Sequence, residues 1–393
     1  MRVLFLVEEL CVGGLSNYTL EFARLAQGFC DSVVIAHKDG ITGPALETEG
    51  IDIVHVSSIE DIRALKPDIV HVHLMSDQDF LNGLFTLGVP LVRFFHDYTS
   101  TCLRRGKRRW PGDRCRRQLG LSCAAYGCLI GPPLAPGKPV RLMDLPGKIA
   151  ERNAYRRFDA SIVGSRHMRS MLLTNGFDPS RVHMVPYFSR FADQALRPVT
   201  KKPDNGRPLE LMFSGQAVKG KGLEILMDAL AGLEGDWRLT VFSEGPCLNS
   251  AKAKAAQHGI AERVSFCGWV NQSALAEAYR DSDVFVLPSI WDDPGPLVGI
   301  EALSWATPIV GFAVGGIPDY LIDGETGWLV KDVSVKGLHA GLQECLNNRA
   351  KLPEMGAAGQ KRVANFHSAK DHVGHVRILY ETLLSKQNKR NAV

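Results

Sequence analysis

The sequence predicts an α/β protein built from two doubly wound domains in tandem, and three observations predict it. At 393 residues the chain is too long for one ordinary core and suits two. Short β-branched runs alternate with amphipathic helical stretches, the pattern of a parallel sheet covered by helices on both faces. That alternation runs through twice, interrupted at 197–208 by prolines, charges and a glycine that read as an interdomain linker.

In the first half, residues 2–7, 32–36, 52–56, 68–73, 91–95 and 159–163 read as buried strands. Between the first two, Leu15, Tyr18, Phe22, Leu25, Ala26 and Phe29 recur at helical spacing and mark a face turned toward the sheet. The opening apolar stretch ends in Glu8 and Glu9 and reads as a strand, not as a secretory leader. Beyond the linker, strands are expected at 209–213, 238–242, 263–266, 284–287 and 308–311, with helices from about Leu223, Leu275 and Leu297. The expected domains are 1–196 and 209–371, both Rossmann-like. A last helix within 372–393, apolar at Val373, Val376, Ile378, Leu379, Leu383 and Leu384, could return onto the first. Ligands of such open sheets bind beyond the carboxyl ends of the strands, so two domains facing a central cleft would line it with those ends.

Charge narrows the partners. The net charge is +4, yet Arg104, Arg105, Lys107, Arg108, Arg109, Arg114, Arg116 and Arg117 oppose only Asp113, so the rest of the chain is net acidic. A basic cluster confined to 104–117 points to an anionic membrane surface, a lipid headgroup or a phosphorylated acceptor, and not to nucleic acid, which takes a broad basic face. A solvated basic loop explains it equally well. No apolar run is long enough to cross a bilayer, so a cytoplasmic location is expected, with peripheral attachment to the inner face of the membrane. Nine cysteines are too few for a disulfide scaffold at this length, and most should be free thiols. Cys102, Cys115, Cys123 and Cys128 crowd one irregular stretch. Four thiolates could hold a structural zinc, but the spacing lacks a Cys-x2-Cys pair, and isolated thiols or a redox pair compete with that reading.

Four segments could carry chemistry. In the first, Trp291-Asp292-Asp293-Pro294-Gly295-Pro296 joins a strand end to a helix beginning at Leu297 and Val298. Unpaired N–H groups and the positive end of the helix dipole suit a diphosphate there. Glu301 sits inside that helix among apolar residues and needs donors, which ribose hydroxyls or an internal ion pair would supply. In the second, Ser214-Gly215-Gln216-Ala217-Val218-Lys219-Gly220-Lys221-Gly222 places glycines and Lys221 where a backbone could approach a phosphate. The third is Gly13-Gly14, in the first strand-to-helix loop, where a plain tight turn is the alternative. The fourth is His96, at the end of a strand, with His71 and His73 as secondary candidates.

Together and in this order, these motifs resemble glycosyltransferase family four over nearly the whole chain. The family's paired acids, eight residues apart, are similar to Asp293 and Glu301, with Asp in place of the more usual first Glu. Residues 315–319 and 324–330 resemble the segments that follow, Gly13-Gly14 resembles the N-terminal glycine loop, and His96-Asp97 resembles the histidine at the sugar site. The resemblance implies the GT-B fold and a nucleotide-sugar donor, held by Gly13, Gly14, Gly215, Gln216, Lys221, Pro296, Leu297, Val298 and Glu301. It implies transfer with retained anomeric configuration to a glycan or glycolipid acceptor, with His96, Asp293 and Lys221 at the reacting centre and no metal. One departure is Gln216, where the family commonly has Arg. Lys221 remains as the matched cation, with Lys219 able to compensate. A hydrolysing sugar-nucleotide epimerase and a non-catalytic sugar-nucleotide-binding scaffold are the competing readings.

Overall fold

The computed structural model describes residues 1–11, 14–42, 48–108, 114–131 and 140–391. The chain forms two compact units, Met1–Pro186 with Lys370–Val393, and Tyr187–Ala369.

The first unit contains β1 (Arg2–Cys11), β2 (Ser32–Thr42), β3 (Asp52–His55), β4 (Ile69–Leu74), β5 (Leu91–Phe95), a small antiparallel pair β6 (Ile130–Gly131) and β7 (Arg141–Leu142), then β8 (Ala160–Val163) and β9 (Val182–Met184). Seven of these make a parallel sheet in the order β3-β2-β1-β4-β5-β8-β9. In the central strand β1, Val3, Leu4, Phe5, Leu6 and Val7 are all buried, as expected of a parallel strand covered on both faces. The helix Gly14–Ala26 lays Tyr18, Phe22 and Ala26 inward, and Phe22 stacks on Phe5 with ring centroids 5.0 Å apart. Burying a phenylalanine of this kind contributes roughly 1.5–3 kcal/mol. The helix Ala369–Asn391 closes the unit, with Val376 and Tyr380 fully buried.

The second unit contains β10 (Leu209–Ser214), β11 (Trp237–Phe242), β12 (Val264–Phe266), β13 (Val284–Leu287), β14 (Ile309–Phe312) and β15 (Gly327–Val330). They pair in parallel in the order β12-β11-β10-β13-β14-β15.

Three differences from the sequence reading have local causes. Strand β1 runs on past Glu8 and Glu9 to Cys11, pairing with β2 after a register shift between Val7 and Glu9. Two edge strands, β9 and β15, were not among those expected; β9 has only three residues, too few for a periodic signal. The division between the units falls before the proline-rich stretch, because Phe191 packs against Tyr279 and Trp305 and Arg190 pairs with Glu301.

Candidate functional site

In the second unit the strand order reverses between the neighbours β10 and β13, so the loops leaving their carboxyl ends lie side by side at that switch point. The two loops are held together by close backbone approach. Gly222 has φ +75°, and a Cβ there would lie 1.9 Å from the Pro288 carbonyl oxygen. A Cβ on Gly220 would lie 1.9 Å from the Trp291 ring, and the Gly220 carbonyl accepts from the N–H groups of Ile290 at 2.9 Å and Trp291 at 3.3 Å. Residues 315 and 316 tie the acidic loop from the other side. The Gly315 N–H donates to Asp292 Oδ1 at 3.2 Å, and the Gly316 N–H donates to the Asp293 carbonyl at 2.8 Å. Side chains at Gly220, Gly222 and Gly315 would push the loops apart, so these glycines fix where Lys221 and Asp293 stand.

Lys221 Nζ donates to Asp293 Oδ2 at 2.5 Å, and both side chains remain about a quarter exposed. Beside them starts the helix Leu297–Ser304. Its cap residue, Pro296, provides no side-chain hydrogen bond, and Leu297 and Val298 are only half-buried. A lysine ammonium near the N–H end of a helix offers positive charge and donors of the kind that can hold an anion. Gly215, at φ +144°, begins the loop, and its carbonyl accepts from the Ser243 hydroxyl at 2.6 Å. Gln216 and Lys219 are exposed.

Glu301 is buried, but its donors are protein groups. Tyr279 Oη donates to Oε2 at 3.1 Å, and Arg190 Nε lies 3.2 Å from Oε1. Of the two readings of this carboxylate, the internal ion pair is the one present, and burial alone does not call for ribose. Burial, followed by the adjacent Glu301 carboxylate, pushes the Tyr279 phenol well above its ordinary range. Arg190 was missed by sequence reasoning, and nothing in its local pattern marks it.

In the first unit, His96 follows β5 and is half-buried. Its Nε2 pairs with His73 Nδ1 at 3.0 Å, and its ring stacks on Phe94 with centroids 4.4 Å apart. His71 and His73 lie side by side along β4, fully buried and stacked at 4.5 Å, so these secondary candidates sit inside a ring cluster without access to solvent. Burial pushes His71 down to about 3 and holds His73 and His96 well below the usual histidine range, with neighbouring charged groups adding to the effect. Gly14 opens the helix Gly14–Ala26, and a Cβ added there would meet open space; Gly13 lies outside the described residues.

The basic segment is not a uniform solvated loop. Lys107 is buried, and its Nζ donates to the Arg117 carbonyl at 3.0 Å, while the Arg117 guanidinium stacks 3.7 Å from the Tyr126 ring centroid. Lys107, Arg108, Arg114, Arg116 and Arg117 border a cavity of about 250 Å³ that Cys102, Cys115, Cys123 and Cys128 also line. Arg109 and Asp113 lie outside the described residues. All nine cysteines are free thiols. Among the described residues no group of three or more His, Cys, Asp or Glu could hold a metal ion, and no zinc site is proposed.

Two parallel α/β sheets of this order, together with the family matches, make the chain a glycosyltransferase of the GT-B type. The chain belongs to glycosyltransferase family four. The family description "Glycosyltransferase Family 4" matches residues 12–188, and "Glycosyl transferases group 1" matches residues 198–362. Among curated relatives, alpha-maltose-1-phosphate synthase of Mycolicibacterium smegmatis is 29% identical over 62% of this chain and 70% of its own length. The GDP-mannose-dependent alpha-(1-6)-phosphatidylinositol monomannoside mannosyltransferase of the same organism is 29% identical over 53% of this chain, and the match spans only 59% of that relative. In fold, HepE of Anabaena in complex with UDP superposes with a TM-score of 0.72 at 14% identity, over 97% of this chain and all of that one.

Proposed function

We propose that the chain transfers a sugar from a UDP- or GDP-sugar to a glycolipid or polysaccharide acceptor, with retention of anomeric configuration, in cell-surface glycan synthesis. The observation that carries this reading is the Lys221–Asp293 pair beside the uncapped start of the helix Leu297–Ser304. Without ligand, the aspartate neutralises the lysine. An incoming diphosphate draws the other Lys221 donors and the N–H groups of Leu297 and Val298 onto its oxygens. As the bond to the sugar breaks, negative charge grows on the departing phosphate, and these fixed positive groups stabilise it more than they stabilise the bound donor. The departing phosphate takes the acceptor's proton on the same face. Asp293 accepts from sugar hydroxyls, and His96 contacts the sugar. Glu301, oriented by Arg190 and Tyr279, keeps lone pairs for ribose. Lys221 and the helix amides occupy the electrostatic role that a divalent cation has in other transferases, so the reaction proceeds without one.

The acceptor side rests on the cavity lined by Lys107, Arg108, Arg114, Arg116 and Arg117, which suits a phosphate-bearing glycolipid at an anionic membrane surface. Peripheral attachment to such a surface is part of this reading; among the described residues no helix is long and apolar enough to cross a membrane. Nucleotide release from UDP-glucose and GDP-mannose, with and without a bacterial lipid extract, tests the reading. Release from one donor that rises at least tenfold with the extract is expected. Equal release with and without extract would mean hydrolysis and would sink the transferase reading.

A further inference from the structure

The small antiparallel pair β6–β7 of the first unit turns aliphatic side chains outward as well as inward. Ile130 stands opposite Leu142, and directly opposed residues share one side of a ribbon. Both are open to solvent, at 57% and 82%, and Val140, just outside the pair, is 63% exposed. The neighbouring positions serve the inside. Leu129 and Met143 pack on a satellite core of Leu103, Leu119, Cys128 and Leu145, and a Cβ on Gly131 would lie 2.4 Å from Met143 Sδ. A ribbon with one face on a core ordinarily offers polar residues to water on the other. Leu121, at the start of the helix Ser122–Ala125, is 85% exposed, and Cys123 of that helix packs on the same core. Single exposed aliphatic residues are ordinary, whereas an adjoining set marks a surface with a partner.

The charge around that core gives the partner's chemistry. From 99 to 143 the sequence has ten basic residues against one acid, Asp113. Arg104 and Arg105 follow Leu103, and Arg116 and Arg117 precede Leu119, so two leucines of the satellite core carry basic pairs beside them. Arg105, Arg116 and Arg117 are exposed, as is Arg141 between Val140 and Leu142. Aliphatic side chains bordered by cations fit a lipid boundary, where phosphate headgroups lie above acyl chains. An acidic protein surface would answer the arginines and leave the aliphatic face unmatched. We propose that Ile130, Val140 and Leu142 form a wedge that enters the headgroup–acyl boundary of an anionic membrane, while the neighbouring arginines hold lipid phosphates. The inference rests on the peripheral-membrane reading above and adds the element that enters the lipid. It makes attachment a two-part device, because salt screens the charges and leaves an inserted aliphatic face in place.

Co-sedimentation with vesicles of equimolar phosphatidylcholine and phosphatidylglycerol, at about 0.1 M and about 1 M NaCl, separates the two parts. The wild type should bind at both, more weakly at high salt. Ile130→Thr with Leu142→Thr should bind at least tenfold more weakly at high salt, since each aliphatic side chain withdrawn from water is worth roughly a tenfold change in partition. Its thermal unfolding should match the wild type, because both side chains are already exposed. Arg105→Gln with Arg116→Gln should show the opposite pattern, losing about tenfold at low salt and little at high salt. Equal high-salt binding of the threonine variant and the wild type, or wild-type binding abolished by salt, overturns the wedge and leaves an electrostatic attachment. Absence of wild-type binding at either salt overturns the peripheral-membrane reading with it. A lipid-free oligomer of the wild type that the threonine variant does not form would assign the face to a second copy of this chain and also overturn the proposal.

Discussion

Glu301 shows how far a single residue can be read from sequence and where that reading stops. Its apolar helix neighbours foretold a buried carboxylate, which the structure bears out at 5% exposure, but not which groups satisfy it. Those groups, Arg190 and Tyr279, come from elsewhere in the chain and meet Glu301 only through tertiary folding. Removing one partner of a buried pair is far costlier than removing both. Arg190→Ala should lower urea stability by roughly 2 kcal/mol, discounted from the fully buried case because Arg190 is 23% exposed, and Arg190→Met with Glu301→Met should recover most of it. A double variant no more stable than Arg190→Ala would contradict the ion-pair account. Nucleotide affinity of the same double variant separates structure from recognition: loss with stability recovered assigns the carboxylate to ribose, and retention leaves it a structural role alone.

At the scale of elements, strand-loop-helix junctions were the legible part, because β-branched runs, glycines and helix starts are local signals. Lys221 and Asp293 were both placed in such loops, and the glycines that bring them within 2.5 Å stood in the same motifs. Edge strand β9, with three residues, was too short to be legible, and β15 was not read as a strand although its residues are apolar. Strand β4 was legible as a strand, but the fate of its histidines was not, since the aromatic lid of Tyr18, Phe22 and Tyr380 comes from helices at both ends of the chain. That lid has a pH consequence. Burial holds His71 at about 3 and His73 well below its usual range, whereas in the unfolded chain both titrate near 6.5. Above about 6.5 neither state takes up these protons; below it the unfolded chain does and the folded chain does not. Stability should therefore fall with acidification, by about 1.4 kcal/mol per histidine per pH unit, or roughly 3–4 kcal/mol for the pair between pH 6.5 and 5. Urea unfolding followed at pH 7, 6 and 5 measures it, and a flat profile would mean that the two rings are not sealed.

For the whole molecule, the repeated alternation of strands and helices was enough to foresee two doubly wound sheets, and the order of motifs was enough to foresee the family. Strand order was not readable from sequence, yet it decides where the site lies. Only the adjacency of β10 and β13 explains why the lysine loop and the acidic loop meet. The central claim is that this switch point binds the diphosphate of a nucleotide through Lys221 and the helix start at Leu297. Calorimetric titration of UDP, GDP and ADP into the wild type and Lys221→Ala tests it most directly. The account predicts that UDP or GDP binds the wild type and is weakened at least tenfold in Lys221→Ala, since a hydrogen bond to a charged group contributes about 1.5–3 kcal/mol. Binding of none of the three, or equal affinity in the variant, would contradict it.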